Sequence, residues 1–137
     1  MTIIGFNFTK IRVEKKQSLR GKVSINNNIS VTNIVENDIA LGNAKQKGLK
    51  FTIDFDTKYE PKIGSIQLTG EVLYIGEEKT VKEVLESWKK DKKVPKEIMA
   101  GVLNTGLNKC NIEALILSQQ INLPPPIPLP KVETSKQ

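Results

Sequence analysis

The sequence predicts an α+β domain in which a four-stranded antiparallel sheet is followed by helices packed on one of its faces. Three observations carry that expectation. Apolar residues alternate with polar ones before Gly76, helical spacing replaces the alternation after it, and a run of prolines from Pro124 stops the second helix. A chain of 137 residues has room for one hydrophobic core, so residues 1–132 read as a single domain and 133–137 as a disordered tail.

Ile4, Phe6 and Phe8 alternate, and the pattern resumes out of phase at Ile11 and Val13. Ile4 to Val13 therefore reads as one long strand with a bulge. Val23, Ile25, Ile29 and Val31 share one parity around Asn26, Asn27 and Asn28, which fits an interrupted strand or a hairpin. Glu36 to Gly48 is polar, carries two glycines and reads as a loop. Leu49, Phe51, Ile53 and Phe55 then alternate with Lys50, Thr52, Asp54 and Asp56, giving a strand with one buried and one wet face. Tyr59 to Gly64, with Pro61 inside, turns the chain into a fourth strand at Ile66, Leu68, Val72 and Tyr74. Gly70 within it marks a bulge or a close approach. Taken in chain order, the four strands suggest a meander.

Thr80 and Glu83 have the spacing of a capping box, and Val81, Val84, Leu85 and Trp88 follow at helical intervals. Pro95 sits where a second helix would have its first residue. That helix carries an apolar stripe of Ile98, Met99, Val102, Leu103, Leu107, Cys110, Ala114, Leu115 and Leu117. Gly101 and Gly106 weaken it by about 1 kcal/mol each relative to alanine, yet they remove bulk where another backbone could come close. Val102, Leu103 and Gly106 are accordingly the expected oligomer contact, with Trp88 and Leu103 placed either in the core or at that contact. Beyond the helix, Leu123 to Pro130 reads as a polyproline-like segment whose Leu123, Ile127 and Leu129 must dock on something.

Composition narrows the chemistry. The chain has no histidine and one cysteine, Cys110, so a His-dependent triad, a His-ligated metal and an internal disulfide are excluded. Asp54 and Asp56 read as the wet side of their strand, not as a catalytic pair, and Cys110 falls on an apolar stripe with no base to activate it. No enzyme activity, metal or cofactor is expected. The apolar runs are too short to cross a membrane, and the opening residues lack the pattern of a signal peptide, which together suggest a cytoplasmic protein. The net charge is +6, but acidic residues interleave the lysines after Gly76 and aromatic residues are few. Nucleic-acid binding through the lysine-rich surface is therefore the alternative function and not the leading one. What stands out is the amount of apolar surface for a single small layer to cover, which implies association with sister copies or an apolar ligand in a groove.

The order of features resembles the SecB export chaperone family. The stretch LILSQQINLPPPIPLPKV, Leu115 to Val132, is similar to that family's helix end and crossover loop, in which apolar residues alternate with prolines. FTIDFDTKYEPKIGSIQLTGEVLYIG resembles its central hairpin and FNFTKIRVE its first strand. The resemblance implies an ATP-independent holdase that binds unfolded polypeptide clients in long apolar grooves, as a homotetramer built as a dimer of dimers. On that reading Phe51, Phe55, Tyr74, Ile121, Leu123, Ile127 and Leu129 are the groove candidates. Two departures count against motor-driven export: this chain is basic where the bacterial proteins are acidic, and it stops at Gln137, soon after the loop.

Overall fold

The structure, a computed structural model, describes residues 2–19, 21–41 and 44–130. The expected tail at 133–137 and Val132 lie outside the described residues. Four long strands form one sheet: β1 (Thr2–Lys15), β2 (Ser24–Glu36), β5 (Gly48–Glu60) and β6 (Gly64–Ile75), with a small hairpin of β3 (Ile39–Leu41) and β4 (Ala44–Gln46) between β2 and β5. Two helices follow, α1 (Glu78–Asp91) and α2 (Lys96–Gln120). The α+β architecture is the one the sequence predicts.

The strand order is β1-β6-β5-β2, antiparallel throughout, so the expected meander is corrected. The first strand pairs with the last, and the second with the third. Crossing two intervening strands takes about 14 Å at the usual strand spacing, and the connection after Lys15 makes that crossing over the tip of the β5–β6 hairpin. Lys16 and Gln17 donate backbone N–H bonds to the Ile63 carbonyl at 2.7 and 3.4 Å. The central places go to the two strands with the cleanest apolar alternation. The edges go to β1, which carries two register shifts, and to Asn-rich β2, which runs unbroken with one shift near Thr32.

Side chains of one parity face the helices: Leu49, Phe51, Ile53, Phe55, Thr57 and Tyr59 from β5, and Ile66, Leu68, Val72 and Tyr74 from β6 are all buried. The opposite face is polar, with Thr69 Oγ1 donating to Asp54 Oδ1 at 2.8 Å and Lys50 pairing with Glu71 at 3.4 Å. Gly70 marks a close approach: the Phe6 ring lies where a Cβ would stand.

Helix α1 places Val81, Val84 and Trp88 on the sheet and ends at Lys92 in left-handed geometry, its N–H bonded to the Trp88 carbonyl at 3.0 Å. The capping box does not form. The helix begins at Glu78 with Glu77 as N-cap, which puts Thr80 inside the first turn. In α2 the buried positions are Ile98, Val102, Gly106, Cys110 and Ala114, then Leu117 and Ser118. Pro95 is its N-cap, one place earlier than expected. A Cβ on Gly106 would come within 2.5 Å of Ile53 Cδ1. The glycine therefore lets α2 sit close on its own sheet, and Val102 and Gly106 are corrected from an oligomer contact to the interior of this subunit. Leu103 is half-buried and Trp88 is in the core.

The inner face holds two apolar clusters. The first joins Leu49, Phe51, Ile53, Val72 and Tyr74 to α1 and the start of α2. The second joins Phe55, Tyr59, Ile63, Ile66 and Leu68 to Cys110, Ala114, Leu117 and Leu123.

Candidate functional site

The site is built where α2 ends. A proline cannot continue a helix, and here the chain exits two residues before the first one. Asn122 adopts left-handed geometry at φ 58°. Its N–H bonds to the Gln119 carbonyl at 3.4 Å, and the Leu123 N–H bonds to the Ser118 carbonyl at 2.8 Å. This is the Schellman arrangement, with asparagine in the place glycine usually takes and Leu123 supplying the apolar contact beyond the helix. No basic residue lies in the last turn of α2. Lys15 of β1 supplies one from across the sheet, its Nζ 3.4 Å from the Asn122 carbonyl, where the helix dipole favours a cation.

From there the segment runs along the β2 edge. Its prolines have no N–H to offer, and the ties that hold it run from the sheet to its carbonyls. The Tyr59 hydroxyl donates to the Pro124 carbonyl at 2.7 Å. Asn27 Nδ2 donates to the Pro126 carbonyl at 2.9 Å, and Asn27 Oδ1 accepts from Thr57 Oγ1 at 2.6 Å. Thr57 is fully buried and stands opposite Asn27 in the β2–β5 register, so the amide is held in one orientation by its neighbour. Burial pushes the Tyr59 hydroxyl up to about 12 and the Cys110 thiol up to about 11, which keeps both neutral at physiological pH.

Pinned in this way, the segment walls a groove of about 700 Å³. Ile25 and Asn27 line one side and the residues from Pro125 to Pro130 the other. Its volume falls within the roughly 300–1,000 Å³ of typical ligand clefts. Ile127 is half-buried and Leu129 is 44% exposed, so both present apolar surface to the opening. A wall of prolines is already ordered, and an occupant loses little binding energy to stiffening it.

The seven expected groove residues divide. Ile127 and Leu129 line the groove. Phe51, Phe55 and Tyr74 are corrected to the core: each is at most 4% exposed, and Phe51 and Tyr74 pack edge to face with ring centroids 6.0 Å apart. They carry the inward parity, and the helices lie over that face. Leu123 is buried in the second cluster and Ile121 packs half-buried against it, so both support the groove from beneath. Sequence reasoning missed Asn27, Thr57 and Tyr59. The signal was present, because Asn27 sits between Ile25 and Ile29, and Thr57 between Phe55 and Tyr59, each a polar residue in an inward position. An inward polar side chain needs a partner.

The described residues contain no group of side chains able to hold a metal ion, and no described helix is long and apolar enough to cross a membrane. No family model matches the chain, and no curated protein matches it in sequence. Among solved structures, the fold is similar to that of the Mycobacterium tuberculosis Rv1957 SecB-like chaperone in complex with a ChAD peptide from the Rv1956 HigA1 antitoxin. That similarity has a TM-score of 0.60 at 9% sequence identity and covers 98% of this chain and 92% of the other. At that identity the likeness establishes the fold: this chain has the SecB-like α+β fold.

Proposed function

We propose that the protein is an ATP-independent holdase chaperone that binds apolar stretches of unfolded or non-native polypeptides in the groove beside the proline segment. The observation that carries this reading is the open apolar groove walled by Pro125 to Pro130 and fixed from below by Tyr59 and Asn27. The fold of a chaperone solved with a bound peptide supports it. The groove has a mostly apolar lining and a rigid wall, with no titratable side chain among the described residues that line it. It suits a succession of apolar side chains, each contributing roughly 1.5–3 kcal/mol when fully buried. Release then needs no nucleotide, since each contact is weak and only their number holds the client. A protein of this kind keeps clients unfolded for targeting or export.

Association into a homotetramer, as a dimer of dimers, belongs to the same proposal. The surface for it lies outside Val102 and Gly106. Ile112 and Ile116 stand one turn apart on the outer side of α2, 53% and 46% exposed, and Ile4 and Ile11 are exposed on the edge strand β1. Repeated subunits multiply weak grooves into useful affinity.

The test is light scattering of a chemically denatured enzyme diluted into buffer with and without this protein. Substoichiometric protein is expected to suppress aggregation, and the double variant Ile127→Ser with Leu129→Ser to lose most of that effect while keeping its oligomeric state. Equal protection by the double variant would remove the groove from the account.

A further inference from the structure

The charges at the two ends of the sheet are arranged differently, and the groove opens at only one of them. At the end where β1 begins and β6 finishes, lysines are tied to carboxylates: Lys47 to Glu36 at 2.9 Å and to Asp38 at 3.6 Å, and Lys50 to Glu71 at 3.4 Å. At the other end, around the β5–β6 turn, Lys15, Lys16, Lys22, Lys58 and Lys62 are all exposed, against Glu14, Glu60 and, beside Lys58 on the outer face of the sheet, Asp56. Glu14 is already shared between Arg12 and Lys16, and Glu60 accepts from the Lys62 backbone N–H. Among the described residues, neither Lys15 nor Lys22 pairs with a carboxylate.

The groove lies beside Lys15 and Lys22. Ile25, which lines it, pairs with Tyr59 on the inward parity, whereas Asn26 and Lys58 carry the opposite parity, so Lys58 faces the other side of the sheet. Lys22 precedes Ile25 by three residues, at most about 10 Å of chain, which is within about one Debye length at physiological salt. Lys15 reaches Asn122, the second residue after α2. A polypeptide lying in the groove therefore passes one flank close to Lys15 and Lys22.

Resting on the groove reading above, we propose that the preferred occupant is an extended apolar segment flanked by acidic residues, the apolar part filling the groove and the carboxylates meeting Lys15 and Lys22. The lysines are solvated and give selectivity more than affinity. Two such contacts at exposed sites amount to a roughly three- to ten-fold preference at low salt.

The experiment measures fluorescence anisotropy of two labelled peptides that share one apolar core and differ only in flanks of glutamate or of lysine. The glutamate-flanked peptide is expected to bind roughly three- to ten-fold tighter at low ionic strength. The gap should close in about 0.5 M salt, where the Debye length falls to a few ångströms. The variant Lys22→Glu, at an exposed position outside the groove lining, is expected to reduce or abolish the preference while both peptides still bind. Equal affinity of the two peptides at low salt, or a preference for lysine flanks, overturns the charge inference and leaves the groove intact. Binding of neither peptide overturns the groove reading itself, and the inference falls with it.

Discussion

The two halves of the inner sheet face are closed by different materials. Over Phe51, Ile53, Val72 and Tyr74 lie α1 and the beginning of α2, which satisfy their own backbone hydrogen bonds and can spend their whole apolar face on packing. Over Phe55, Tyr59 and Ile66 lies the last part of α2 and then Leu123, after which the cover becomes a proline segment. That segment cannot satisfy itself. Its carbonyls draw donors from the sheet, Tyr59 for Pro124 and Asn27 for Pro126, and its outer edge keeps apolar surface that no other described residue covers. Helical cover makes a closed core, whereas proline cover makes a rigid wall with an open side. On the proposed function, the contrast gives stability to the first half and binding to the second.

Substitutions separate these roles, and the largest effect belongs to the helical half. Phe51→Ala, at a fully buried site, is expected to lower unfolding free energy by about 3–5 kcal/mol in urea or guanidinium titration. A loss below about 1 kcal/mol would mean that the first cluster is loosely packed and the contrast false.

Tyr59→Phe comes next, because it leaves the Pro124 carbonyl without its donor. The expected cost is about 1–2 kcal/mol, together with faster proteolysis between Leu123 and Pro130. The same residue gives a pH signature. Its hydroxyl titrates near 12 in the folded protein, above the ordinary tyrosine value near 10. The folded state therefore holds the proton more tightly. The stabilisation is complete below about pH 10 and is lost as pH rises towards 12. Tyr59→Phe should remove that part of the alkaline loss, read as the difference between the two proteins' denaturation midpoints across this window. An identical decline in both would show that Tyr59 is not held as described.

The smallest effect on stability is expected at the open side. Ile127→Ser with Leu129→Ser should change unfolding free energy by less than about 1 kcal/mol, since neither side chain is fully buried. The same variant should abolish most of the aggregation suppression. A large stability loss here would mean that the wall is part of the core.

How much of this could be read in advance differs along the chain. Leu49 to Asp56 was legible because each inward residue repeats at the period of a strand, and α2 because its stripe runs for several turns before the prolines. The partner of β1 was not legible. Alternation fixes which face a strand presents, and says nothing about which strand lies beside it, so local order suggested a meander where the chain crosses the hairpin tip. For the same reason Phe51, Phe55 and Tyr74 were assigned to the groove: their parity was right, but which face the helices cover is set by tertiary packing. Ile127 and Leu129 were found because prolines on either side leave an apolar residue no local partner. The ties that hold them were missed, since Asn27 was read as a turn residue and its role appears only when β2 and β5 are paired in register.

The central claim is that non-native chains lie against the proline wall and not on the other exposed apolar surface of the subunit. A photo-cross-linking side chain placed at position 127 in one protein and at position 112, on the outer side of α2, in another tests it directly. With a denatured client present, the account predicts client adducts from position 127 and almost none from position 112. Equal yields from the two, or adducts confined to position 112, would contradict it.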